Sequence, residues 1–245
     1  MKTLSLLGVK VNQVDYPTTL RQIEKFIKTQ QPHHIVTVNP EIIMRAQKDE
    51  EFRRVLNAAE LSVPDGFGII WASKIFKKPL KERVTGTDLV NDIARLAAKR
   101  GYRIYFLGGE EGVAKKAALN LQQKYPQLKI AGFEAGSPYD ATLISRIRKL
   151  RPEILLVAFG APKQEKWLNK FKTSLNVPVM MGVGGAFDFI SGKVPRAPLW
   201  MRQRGLEWLY RLIKQPWRYK RQFALLLFLL AVLKEALFHS GKTSR

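Results

Sequence analysis

The stretch YRIYFLGGEEGVAKKAALNLQQKYP, Tyr102 to Pro126, carries the unit from which the fold is read. A short apolar run rich in aromatic and β-branched residues ends at a glycine pair. A longer amphipathic run follows and stops at Pro126. The first has the composition of a strand and the second the period of a helix. A strand that turns through glycine into a helix is half of a β-α-β unit.

The same alternation extends in both directions. Upstream, LSLLGVKV reads as a first strand, TTLRQIEKFIKTQ as a helix capped by Thr18 or Thr19, and HIVTVN as a second strand. Pro40 then starts a helix through EIIMRAQ, ELSVPDG is a short strand ending in a turn, and TDLVNDIARLAAKRG is a helix closed by Gly101. Downstream, LKIAGF, EILLVAFG and VPVMMGVGG are strands, separated by helices in ATLISRIRKLRP and KQEKWLNKF. The pattern predicts an α/β fold with a Rossmann-like, doubly wound, mostly parallel sheet. It changes after GGAFDFISGKVPRAP, where only helical patterns remain. The expected boundary lies near Arg196 to Pro198, with an α/β core over residues 1–197 and an all-α, basic and apolar appendage over 198–245.

Composition narrows the function. The 245 residues suffice for one full core, or a core with an appendage. There is no cysteine, which excludes thiolate metal sites, and only three histidines, which disfavours a multi-histidine site. The net charge of +22 points to polyanions such as nucleic acid, anionic lipid or phosphorylated substrates. Twelve Lys or Arg against two Glu fall between Lys193 and Arg245. The N-terminal apolar run is short, with no cleavage-site pattern, and reads as a strand of a cytoplasmic protein.

Ligands of open α/β sheets sit at the carboxyl ends of the strands, so the loops there hold the candidates. TVNPE offers Thr37 and Asn39, two neutral hydrogen-bonding groups suited to a sugar or phosphate. Asn39 before Pro40 also fits an ordinary helix N-cap. VPDGFG places Asp65 where a general base would sit, and equally where turn aspartates are common. FLGGEEGVA brings Gly108, Gly109 and Gly112 to a helix start that could approach a phosphate. It is not G-x-G-x-x-G, and Glu110 and Glu111 disfavour a pyrophosphate, so a nicotinamide enzyme is a poor reading. FGAPKQEKW, with Gln164, and GVGGAFDFISGKVPRAP, with Gly185, are dense in glycine and polar groups beyond what a tight turn needs.

Taken together, TVNPE, PDGFGIIWAS, ERVTGTDL, FLGG, GAPKQEKW, GVGGAFDFISGKVPRAP and RGLEWLYRLIKQPWRYKRQ resemble the WecG/TagA/CpsF family of glycosyltransferases, from about Leu7 to Gln222. The resemblance implies transfer of a sugar, N-acetylmannosamine or a relative, from a UDP donor to N-acetylglucosamine on undecaprenyl diphosphate, for teichoic acid or another surface polymer. It implies inversion at the anomeric carbon and neither metal nor other cofactor. It places the base at Asp65 and lines the pocket with Thr37, Asn39, Arg83 and Gln164. Gly108, Gly109 and Gly185 belong to the matched loops. Without a metal, arginines and backbone amides would have to stabilise the departing diphosphate, and Arg83 is one candidate.

The tail RYKRQFALLLFLLAVLKEALF, Arg218 to Phe238, begins within a cationic series of Arg211, Lys214, Arg218 and Arg221. Their spacing gives one stripe on a continuous helix, which Pro216 would break at about Gln215. The resemblance implies that the appendage covers the site at the membrane, with Arg211, Arg218 and Arg221 meeting the acceptor diphosphate. The apolar run from Phe223 to Phe238 covers about 24 Å as helix, short of a ~30 Å hydrocarbon core. It reads as a monotopic segment dipping into the cytoplasmic leaflet of an anionic membrane, the alternative being burial between subunits of a homo-oligomer. Removal of everything from Leu199 is expected to leave a folded core without transfer activity. The rival reading from another class is a basic nucleic-acid-binding protein, in which Trp200, Trp208, Trp217 and Tyr219 would supply stacking surfaces. No reading module accompanies them. The preferred reading uses no nucleic acid.

Overall fold

The structure is a computed structural model describing residues 1–214, 216 and 219–240, with the side chains of 211, 219–222 and 238–240 outside that description. The chain opens with β1 (Thr3–Leu6) and β2 (Val9–Asn12), an antiparallel pair. The expected single first strand is thus a hairpin, because Leu7 and Gly8 both adopt positive φ and turn the chain back. Next come α1 (Tyr16–Thr29), β3 (His33–Val38), α2 (Pro40–Ala46), α3 (Glu50–Ala58) and β4 (Leu61–Pro64). The cap of α1 is Asp15, which accepts from Thr18 N, so the helix begins earlier than the threonines predicted.

The middle of the chain holds α4 (Phe67–Ile75), α5 (Gly86–Arg100), β5 (Arg103–Gly108), α6 (Val113–Lys124), β6 (Lys129–Glu134), α7 (Leu143–Leu150) and β7 (Ile154–Ala158). Gly101 closes α5 at φ 74° as expected. Then follow α8 (Lys163–Leu175), β8 (Val179–Gly182), α9 (Ala186–Ile190), α10 (Leu199–Gln203), α11 (Glu207–Lys214) and α12 (Tyr219–Ser240). Helix α11 ends just before Pro216 and α12 starts after it, in keeping with the break expected there.

Six strands form one sheet in the order β4-β3-β8-β7-β5-β6, every neighbouring pair parallel. The Rossmann-like reading is borne out. All of its strands but the half-exposed edge strand β6 are buried on both faces, as parallel sheets favour. One face carries α1, α5, α6 and α9 on a cluster that includes Ile23, Ile93, Phe106 and Phe187. The other carries α7 and α8 toward one side and, toward the other, α2, α3, α4, the hairpin and α12.

Helix α12 packs on α2 and α4. Phe228 and Val232 are fully buried there, beside Ile42, Ile43 and Ile69. Part of the apolar tail therefore goes neither to a membrane nor to a partner but to the chain's own core. The opposite side of α12 leaves Phe223, Leu226, Leu227, Leu230, Leu233 and Leu237 exposed. No described helix is long and apolar enough to cross a membrane.

Candidate active site

The strand order decides which loops meet. The four neighbours β4, β3, β8 and β7 run parallel, so their carboxyl ends open on one edge. A cavity of about 390 Å³ lies over them, lined by Thr37 and Asn39 after β3, Asp65 after β4, Phe159 to Ala161 and Gln164 after β7, and Val183 to Ala186 after β8. A second cavity of about 260 Å³ adjoins it and shares Asn39, Asp65 and Gly86. That one extends toward the C-terminal helices and adds Phe67, Arg83, Arg196, Glu207, Trp208 and Leu225. Asp65 thus stands at the seam between two chambers.

The position of Asp65 follows from local structure. Its backbone N–H continues the ladder of β3 and β4 by donating to Val38 O at 2.7 Å. Gly66 then takes φ 101°, which turns the chain sharply into α4. The Asp65 carboxylate accepts from Gly86 N at 3.2 Å, at the first residue of α5, where the helix dipole favours negative charge. A β-carbon on Gly86 would lie 3.6 Å from Thr37 Cγ2 and 3.8 Å from Asp65 Oδ2, so these three residues meet.

Asn39 is an N-cap, as its pattern suggested: Oδ1 accepts from Ile42 N at 2.9 Å. It also lines both chambers, and its Nδ2 has no partner among the described residues. Capping thus leaves the residue on the wall of both chambers.

Gln164 is almost fully buried and its amide is committed within the protein. Oε1 accepts from Gly160 N at 3.0 Å and Gly184 N at 3.1 Å, tying the loops after β7 and β8 together. Nε2 donates to Glu165 Oε1 at 2.7 Å. Glu165 is fully buried, and burial pushes its carboxyl up to about 7. Gly182 makes room for the pair, since a β-carbon there would fall 2.6 Å from Gln164 Nε2 and 2.8 Å from Glu165 Oε1. Gln164 accordingly shapes the chamber floor by holding two loops, and Glu165 fixes which end of its amide faces them. Gly185 lies on that floor.

Gly108 and Gly109 line neither chamber. Strand β5 is separated from β8 by β7, and the end of β5 presses on β7: a β-carbon on Gly108 would sit 2.8 Å from Ala158 C, while Gly109 N donates to Ala158 O. Close backbone packing at positive φ accounts for glycine at both positions.

Arg83 lies over the Phe67 ring, 4.6 Å from its centre, and donates to Arg202 O at 3.2 Å. Beside it is an arrangement that sequence reading missed. Arg196 makes two hydrogen bonds to Asp88, at 2.5 and 2.7 Å, and approaches Glu207 at 3.3 Å. Burial alone would raise the Asp88 carboxyl, but the hydrogen bonds from Arg196 and Thr85 outweigh it and hold the group below the ordinary aspartate range. Asp88 and Arg196 lie 108 positions apart, so no spacing rule could pair them. Of the cations assigned to an acceptor diphosphate, Arg218 and the side chains of Arg211 and Arg221 lie outside the described residues.

A carboxylate between two chambers, one lined by Thr37, Asn39 and Gln164 together with Glu41 and Asp188 and the other bearing arginines, can deprotonate a hydroxyl of one substrate while a second substrate lies alongside. Over 202 residues the chain is 39% identical to an N-acetylglucosaminyldiphosphoundecaprenol N-acetyl-beta-D-mannosaminyltransferase of Bacillus subtilis (strain 168), covering 82% of this chain and 79% of the relative. It is 30% identical over 234 residues to an enzyme of the same name from Staphylococcus aureus (strain MW2), covering 94% and 92%. The model of the glycosyl transferase WecG/TagA/CpsF family matches residues 4–242, and the chain belongs to that family.

Proposed function

We propose that this protein transfers N-acetylmannosamine, or a closely related sugar, from a UDP donor to N-acetylglucosamine carried on undecaprenyl diphosphate, inverting the anomeric carbon. The observation that carries the reading is Asp65 at the seam of the two chambers. Its carboxylate takes the proton of the acceptor hydroxyl, and that oxygen attacks the anomeric carbon from the face opposite the leaving diphosphate. Thr37, Asn39, the loops held by Gln164, and Gly185 surround the sugar and nucleotide. Arg83 and Arg196 give the departing diphosphate its positive surroundings without a metal. Arg211, Arg218 and Arg221 are assigned to the acceptor diphosphate.

The membrane side of the reading rests on α12. Leu225 reaches the second chamber, while exposed Phe223, Leu226, Leu227, Leu230, Leu233 and Leu237 recur at helical spacing. A helix buried on one side in the core and apolar on the other suits a peripheral position on the cytoplasmic leaflet, with the acceptor lipid entering beside it. Nothing in the matched relatives favours nucleic acid as a partner.

The test is UDP release from a panel of UDP-sugars with a short polyprenyl-diphosphate-linked N-acetylglucosamine. Acceptor-dependent release with UDP-N-acetylmannosamine, lost in Asp65→Ala, is expected. Release with another sugar only would change the donor, and none with any sugar would overturn the reading.

A further inference from the structure

The arginines of the second chamber are already occupied. Glu207, at the start of α11, places Oε1 3.3 Å from Arg196 Nε and Oε2 3.9 Å from Arg83 Nη1. All three side chains are largely buried, yet all three line the chamber that Asp65 shares. A carboxylate between two guanidinium groups has the charge and acceptor geometry of one phosphate group. The two anions around Arg196 are held very differently. Asp88 takes two short hydrogen bonds from Arg196 and one from Thr85, at 2.5, 2.7 and 2.7 Å. Glu207 touches each arginine once, at longer range. Asp88 therefore fixes Arg196 in place, and Glu207 is the exchangeable partner.

We propose that Arg83 and Arg196 form a diphosphate subsite whose resident occupant is Glu207, and that the diphosphate of an incoming substrate displaces this carboxylate. Because Glu207 is the first residue of α11, its release frees the start of that helix from the core. Occupancy of the chamber and the seating of the C-terminal helices are then coupled. Both substrates of the proposed reaction carry a diphosphate, and the inference leans on that reading only for which of them acts here.

The experiment is calorimetric titration of the full chain with inorganic diphosphate at fixed, moderate salt. Removing a competing charge should tighten binding in Glu207→Gln by about fivefold or more. Adding Arg83→Gln should cancel the gain, which separates this subsite from general attraction to a basic protein. Equal or weaker binding in a Glu207→Gln variant that melts cooperatively would overturn the proposal, as would a gain that survives Arg83→Gln. Should Glu207→Gln fail to fold, Glu207→Asp withdraws the carboxylate by one methylene, and a smaller gain of the same sign is expected; no gain there also overturns the proposal. Parallel titrations with UDP and with farnesyl diphosphate identify the source, since only the diphosphate that uses the subsite gains. Failure of the transfer assay would refute the sugar-transfer reading and leave this measurement intact, because inorganic diphosphate needs the subsite alone.

Discussion

Asp65 and Glu165 both follow strands that end at the same edge of the sheet, yet their surroundings give them different work. Asp65 lines two chambers and receives a backbone N–H at a helix start, so its carboxylate is held where a substrate hydroxyl can reach it. Asp65→Asn should cut transfer by about 10²–10⁴, the usual worth of a general base, while UDP binding measured by titration stays close to that of the parent. Glu165 sees no solvent, and its second oxygen has no hydrogen-bond partner among the described residues. Its folded-state value of about 7 lies above the ordinary 4.5, so the folded protein holds the proton more tightly than the unfolded chain. Stability from this group is complete below pH 4.5 and is lost as pH rises through about 7, a difference of about 3 kcal/mol. Urea midpoints between pH 5 and 8 should show this decline in the parent and a flatter profile in Glu165→Gln. An equally steep decline in the variant would contradict the assignment. At this scale Asp65 and Gln164 were legible from their loops, whereas Glu165 was not. Inside KQEKW it looks like any helix-face charge, and only the approach of Gly182 shows that it points inward.

For single elements, helix α12 shows where pattern reading stops. An apolar run without a polar face carries no mark of which side meets the protein. The structure divides it, with Phe228 and Val232 inside and the leucine series outside. Phe228→Ala should cost about 3–5 kcal/mol in denaturant unfolding, as a large buried side chain does. Leu230→Ala, more than half exposed, should change stability by no more than about 0.5 kcal/mol but weaken sedimentation with anionic vesicles. Equal effects of the two on unfolding would contradict the burial, and unchanged vesicle binding in Leu230→Ala would contradict the membrane face. The N-terminal hairpin was missed for a related reason. Gly8 was its lone sign, because leucine rarely takes the φ of 50° that Leu7 adopts.

Across the whole molecule, β-α alternation sufficed to foresee a parallel sheet but not the order of its strands. The order is what gathers Thr37, Asp65, Gln164 and Gly185 while leaving Gly108 and Gly109 beyond β7. It also brings Arg83 and Asp88 to Arg196 and Glu207. Truncation before Leu199 should abolish transfer, since Glu207, Trp208 and Leu225 leave the second chamber. Because Phe228 and Val232 go with them, the shortened chain should also melt at lower temperature than the parent. Parental activity in it would refute the role given to the C-terminal helices, and an unchanged melting temperature would refute their share in the core.

The N-terminal hairpin and α12 also touch: Leu7 N, in the hairpin turn, donates to Glu235 on α12 at 3.2 Å. This contact and the burial of Phe228 set a schedule for biosynthesis. A nascent chain emerges from the ribosome N-terminus first, so the hairpin, α2 and α4 are exposed long before the helix that covers them. Their apolar seam stays open until α12 has been made. A ribosome stalled anywhere before Phe228 would display that seam as a chaperone-binding or aggregation-prone surface, and emergence of α12 is the event that closes it.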